Sequence, residues 1–236
     1  MSISLETEKM REKRPLTAMS LLILVLLVSA CAKKPHNFVD RTAEDFLDYG
    51  VVAHNRGELE TALKIFSLAI QSNKLEGPVL ARAYFDRGNV HHDMDDAESA
   101  MDDYNTALGI NPQFADAYFN RAVCFREKNE LDRALEDYRM SMALNPDDEL
   151  AHNNMGYVYF RKGEYELAVK EYSRAIELRP EYARAYGNRA FAWLALGRED
   201  LARKDAEKAG ELNPKIQRPT FEAKARPDEA EKDERK

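Results

Sequence analysis

Cysteine is scarce in this chain: Cys31 and Cys124 are the only two, too few to build a disulfide framework. Positive charge is in deficit as well. Thirty-five Lys/Arg stand against 42 Asp/Glu, a net charge of −7, so no basic stripe is available to neutralise phosphates and nucleic acid is excluded as a partner. Catalytic signatures are missing. No GxSxG, HExxH or phosphate-loop pattern occurs, which points away from enzyme chemistry and leaves no catalytic residue or cofactor to assign. The one apolar run, Leu16 to Val28, is broken only by Thr17 and Ser20. It falls short of the roughly 20 residues a membrane-spanning helix needs.

Regular spacing fills most of what remains. Pro112, Pro146, Pro180 and Pro214 stand 34 residues apart, and Ala100, Ala134, Ala168 and Ala202 keep the same interval. Gly88, Ala122, Gly156 and Ala190 hold that register too. So do Tyr84, Tyr118 and Tyr186, with His152 as the exception. Several aligned ladders of one period mark a stacked repeat array. Within one period, Tyr118, Ala122 and Phe125 share a helical face, and Ala134, Tyr138 and Ser141 share another. Pro146 cannot continue the second helix. Each unit is therefore a helix pair that buries its apolar face only against its neighbours.

These ladders resemble the tetratricopeptide repeat, a helix–turn–helix unit of about 34 residues. The fullest match begins at Glu149, with Gly156, Tyr159, Gly163, Ala168, Tyr172, Ala175 and Pro180 on pattern positions. The resemblance implies an all-α fold: an α-solenoid of about five repeats in a right-handed superhelix. Repeats are expected at 43–76, 81–114, 115–148, 149–182 and 183–216, a domain over 43–214. The first keeps Phe46, Gly50, Gly57, Ala62, Phe66 and Ala69 but has Lys74 in place of proline. The Leu75-Glu76-Gly77-Pro78 stretch accounts for its longer offset from the second. Small residues let the helices of a unit approach, and the aromatics are expected to fill the space between units. The last repeat has Ala206 instead of an aromatic, and its charged second helix reads as a polar end cap.

Residues 1–30 have the organisation of a secretory signal peptide: Arg11, Lys13 and Arg14, the apolar run, then Val28-Ser29-Ala30-Cys31. Those last four residues resemble the bacterial lipobox, which implies cleavage and acylation (palmitate included) of Cys31. An uncleaved signal anchor is the competing reading. Ala32 in place of aspartate implies an outer-membrane anchor facing the periplasm, with residues 31–42 as a tether. Removing residues 1–30, with four Lys/Arg and three Asp/Glu, leaves the remainder at net −8. Cys124 reads as a buried, inert thiol. Residues 215–236, with Pro219, Pro227 and dense mixed charge, read as a disordered tail.

Repeat arrays bind partners along the surface lined by their first helices. The sixth position of each first helix reads Asp48, Asp86, Asn120, Asn154, Asn188. An asparagine amide both donates and accepts, matching the backbone of an extended peptide. The alternative is that these side chains are solvated. Phe119, Tyr157, Phe160 and Phe191 are expected either to project into the groove or to pack between first helices. The chaperone-binding carboxylate clamp of some tetratricopeptide proteins is matched at Asn89 and Asn120. Phe85, Leu150 and Asn154 stand where its basic residues belong, so an acidic chaperone tail is not expected. His91 and His92 fall on different helix faces, and no metal site is expected there. The implied function is a non-catalytic, membrane-anchored scaffold for envelope proteins, in secretin or pilus piloting or in cell-wall hydrolase recruitment. The second reading is a self-associating array whose groove is a homo-oligomer interface.

Overall fold

The computed structural model describes residues 42–221; the expected signal peptide, Cys31, the expected tether up to residue 41 and residues 222–236 lie outside them. Ten α-helices occupy the described residues, in five antiparallel pairs: α1 (Ala43–Asn55) with α2 (Leu59–Gln71), and α3 (Gly77–Asp93) with α4 (Ala97–Ile110). Then follow α5 (Ala115–Glu127) with α6 (Leu131–Leu144), α7 (Glu149–Arg161) with α8 (Tyr165–Leu178), and α9 (Ala183–Ala195) with α10 (Glu199–Leu212). Each helix packs chiefly on its neighbours in sequence, the stacking of a one-dimensional array. No helix of the described residues is long and apolar enough to cross a membrane.

Turn chemistry fixes the pairing. The fifteenth residue of every repeat has a left-handed backbone: Gly57, Asp95, Asn129, Gly163 and Gly197, with φ of 73°, 60°, 61°, 79° and 71°. Glycine, asparagine and aspartate are the residues that adopt this conformation most readily. Between pairs, the residue ahead of each proline is extended: Asn111, Asn145, Arg179 and Asn213 end their helices with φ from −128° to −153°. Proline imposes that geometry on its predecessor. The first junction lacks the proline and turns instead through Asn73 and Gly77, with φ of 54° and 51°. Only the first half of the inserted stretch is loop. Gly77 and Pro78 open an extra N-terminal turn of α3, and Leu75 is buried beneath it.

The fully buried ring at position twenty-four lies under its own unit's small residue, a correction to the expectation that it fills only the space between units. A Cβ on Gly50, Gly88 or Gly156 would come within 2.5, 2.7 and 2.8 Å of the Phe66, Tyr104 and Tyr172 rings respectively. Tyr138 meets alanine (Ala122) instead, and its hydroxyl is buried without a partner. The Tyr104 hydroxyl, by contrast, donates to Asn89 Oδ1 at 2.8 Å. The ninth position explains the difference: Asn89 in the second repeat, Val123 in the third. Removing an unsatisfied buried hydroxyl relieves a desolvation penalty, whereas removing a bonded one loses about 0.5–1.5 kcal/mol. Tyr138→Phe is therefore expected to be neutral or stabilising and Tyr104→Phe destabilising, read by urea denaturation. A larger loss at Tyr138 would refute this account.

A second ladder runs through the interior. Arg87, Arg121 and Arg189 each make a bidentate pair, at 2.7–2.9 Å, with Asp103, Asp137 and Asp205 on the second helix of the same repeat. Each guanidinium also donates to the preceding repeat: to Ser67 Oγ, Asn105 Oδ1 and Ser173 Oγ. The position-four tyrosines Tyr84, Tyr118 and Tyr186 lie 5.4–5.6 Å from these guanidinium groups. Repeat four breaks all three positions together. Met155 replaces the arginine, Glu171 the aspartate and His152 the tyrosine; the imidazole Nδ1 meets the Glu171 carboxylate at 2.8 Å. The His152 exception is thus part of a linked exchange of one buried pair for another.

The array's C-terminal end is covered by its own chain. The tail expected from residue 215 is corrected at its start: residues 215–221 fold back on α9 and α10. Gly187 leaves room for the Gln217 carbonyl, 2.5 Å from where a Cβ would be, and Gly210 leaves room for the Arg218 guanidinium. Pro219 is buried, and Arg203 lies 4.4 Å from the centre of the Phe221 ring. Cys124 is fully buried beside Ala100 and Tyr104, and burial pushes its thiol up to about 11.

Candidate functional site

First helices of successive repeats lie side by side, and two depressions open along the face they form. One, about 310 Å³, lies among α1, α3 and α5 and is lined by His54, Asn89, His92, Asp93 and Asn120. The other, about 360 Å³, lies among α5, α7 and α9, with Asn153, Asn154, Tyr157 and Asn188 in its wall. Helical spacing brings these residues to one face: Asn154, Tyr157 and Arg161 are three and four residues apart on α7.

The structure places Asn89, Asn120, Asn154, Tyr157 and Asn188 along this face. Their amides are not interchangeable. Asn120 Nδ2 donates to Asn89 Oδ1 at 2.7 Å, and Asn188 Nδ2 donates to Asn153 Oδ1 at 3.0 Å. Asn154 works in the other sense, its Oδ1 accepting from Arg126 Nη1 at 3.0 Å. Each amide is thereby oriented by the repeat before it. Asn120 and Asn188 keep a second N–H and a carbonyl oxygen for another partner, and Asn154 keeps its NH₂ group. Orientation before binding lowers the entropy lost on capture.

The expectation that Phe119 and Phe160 project into the groove is corrected. Phe119 packs edge-on against Tyr138 at 5.6 Å, Phe160 against Tyr165 at 5.4 Å, and both join the central core. Each ring packs on the second helix of its own pair and not between first helices. Phe191 is half-buried and lines neither depression. Asp86, at the ladder's second rung, has its buried oxygen 3.4 Å from Arg82 Nε, and burial outweighs that pairing to raise its carboxyl above the ordinary range. His91 and His92 reach different carboxylates, Asp96 for the first and Glu127 for the second. His54 bonds Asp93 across the first junction at 2.7 Å. Among the described residues no group of three or more His, Cys, Asp or Glu could hold a metal ion.

Asn153, Arg126, Arg161, Arg184 and His54 also line the groove. They stand at positions five, twelve, thirteen, two and twelve of their first helices, which helical spacing turns to that face, although the sequence singled none of them out for binding. Position five carries Leu47, Phe85, Phe119 or Gly187 in the other repeats, so no ladder marks Asn153 for binding.

A sequence profile described as a tetratricopeptide repeat matches residues 81–114, and one described as a TPR repeat matches residues 124–163 and 156–197. The chain carries tetratricopeptide repeats. Solved structures of such proteins share its fold. A crystal structure of MamA matches with a TM-score of 0.63 at 22% identity, covering 70% of this chain and 95% of that one. MamA from Desulfovibrio magneticus RS-1, residues 41 to its end, gives 0.66 at 18% identity, covering 73% and 95%. YrrB, described as a TPR protein with an unusual peptide-binding site, gives 0.61 at 21% identity, covering 74% and 88%. No curated protein matches the sequence. At these identities the tetratricopeptide likeness carries the fold and no more.

Proposed function

We propose that this tetratricopeptide array is a non-catalytic scaffold that holds an extended peptide segment of a partner protein along its first-helix face. The observation that carries the reading is the set of half-buried amides at Asn120, Asn154 and Asn188, each oriented by a hydrogen bond from the neighbouring repeat and lining a depression. Such a row offers donors and acceptors at intervals to a peptide main chain. Main-chain bonds contribute about 0.5–1.5 kcal/mol each, so Tyr157, in the same wall as Asn154 and Asn188, supplies apolar contact they lack. A peptide-binding site described for YrrB, which shares the fold, is consistent with this use.

The same reading places the protein in a bacterial envelope, acylated at Cys31 and facing the periplasm, where it recruits or pilots envelope proteins. Support for the anchor is the sequence Val28-Ser29-Ala30-Cys31 after a short apolar run. Cys31→Ser is expected to move the protein from the membrane to the soluble fraction; membrane retention would rule out lipidation as the anchor.

For the groove, Asn154→Ala with Tyr157→Ala is expected to abolish partner recovery after in-cell crosslinking while leaving helicity and melting unchanged. Recovery of the same partners by the double variant would end the reading. Light scattering separates the self-association alternative, which requires a mass that rises with concentration.

A further inference from the structure

The two depressions differ in charge, and the difference specifies the partner. The one among α5, α7 and α9 is walled by Arg126, Arg161 and Arg184, with Glu127 as its one acidic residue. That imbalance sits on a chain of net charge −7. Glu127 is shared, one oxygen meeting Arg126 at 3.3 Å and the other His92 at 3.1 Å, so it offsets the cluster only in part. Two of the guanidinium groups are held in place by neutral partners. Arg126 donates to Asn154 Oδ1, and Arg161 donates to Asn129 Oδ1 at 3.0 Å. Both lie 5.8–5.9 Å from the Tyr157 ring centre, which keeps them at the wall rather than in solvent. Arg184 is exposed at the opposite wall on α9. The depression among α1, α3 and α5 has no arginine or lysine in its wall and includes Asp93.

We propose that the partner segment carries a carboxylate and that this group docks in the depression among α5, α7 and α9, between Arg161 and Arg184. The proposal rests on the peptide-groove reading above and adds the chemistry of the peptide. Guanidinium groups are matched to carboxylates by geometry as well as charge. The carboxylate comes from an acidic side chain or from a free C-terminus. An extended peptide so anchored runs on towards α3 and α1, where the wall has no arginine or lysine to take a second acidic residue.

Panning two displayed decapeptide libraries over the full chain tests this, one with free C-termini and one with the random segment flanked on both sides. Recovered peptides are expected to be rich in Asp and Glu, or to lose binding on C-terminal amidation. Recovery from both libraries assigns a side chain; recovery from the free-end library alone assigns the terminus. In fluorescence anisotropy, Arg161→Gln with Arg184→Gln is expected to weaken them about tenfold per arginine removed. Raising salt from about 0.05 to 0.5 M should weaken them further. Neutral or basic peptides that bind the arginine variant as well as wild type, but fail on Asn154→Ala with Tyr157→Ala, overturn this inference and leave the groove reading intact. Peptides indifferent to both variants, or no recovered peptide, overturn both.

Discussion

Asp137→Ala is expected to destabilise the array by about 3–5 kcal/mol, the cost of leaving a largely buried charge unpaired. Arg121 would lose both of its bonds to the Asp137 carboxylate, at 2.7 and 2.8 Å, and keep only the one to Asn105. A guanidinium cannot escape by losing its proton. Because Arg121 joins its own pair to the preceding one, the damage falls on a unit interface in the middle of the array. Repeat stability is a sum of unit and interface contributions, so urea denaturation should separate into two transitions. Glu171→Ala provides the internal contrast. Its partner is His152, which makes one bond to the carboxylate where Arg121 makes two, so that loss should be smaller. Arg121→Met with Asp137→Leu imitates the apolar choice of Met155 and should recover much of the stability. Equal losses at Asp137 and Glu171 would sink this account.

Gly156→Ala is expected to cost about 1–3 kcal/mol by overpacking, because its new methyl would meet the Tyr172 ring at 2.8 Å and the Ala168 carbonyl oxygen at 3.2 Å. Tyr172→Ala should cost about 3–5 kcal/mol through the cavity it leaves, the ring being 1% exposed. The two losses should not add. With the ring gone, the methyl at 156 enters empty space, and the double variant should be more stable than the sum predicts by about 1 kcal/mol or more. Chemical denaturation of the four proteins decides the matter, and strict additivity would show that glycine is not there for the ring. The third repeat already demonstrates the compromise. It tolerates Ala122 against Tyr138 and leaves that hydroxyl without a partner.

Groove and packing residues separated unequally in the sequence. Asn120, Asn154 and Asn188 could be assigned to one face because helical spacing is a local property and the ladder repeats it. Phe119 and Phe160 could not, since a half-buried aromatic beside the groove and one folded between the two helices of its own unit have the same spacing. Their true neighbours, Tyr138 and Tyr165, lie on the following helix, and the tilt of that helix decides which way the ring turns. The arginine ladder was visible as letters but not as a bond network. Arg87, Arg121 and Arg189 find their aspartates 16 residues later, across a turn.

Period, pair count, turn positions and helix ends followed from the linear order of residues, because prolines, left-handed residues and apolar spacing act on their immediate neighbours. The three-dimensional packing alone decided which amides point at each other, which aromatics remain free, that residues 215–221 close the array's end, and that three arginines gather round one depression. Those outcomes depend on contacts between residues of different elements, up to 35 positions apart, whose approach is set by how the helices pack within a pair and how one pair stacks on the next.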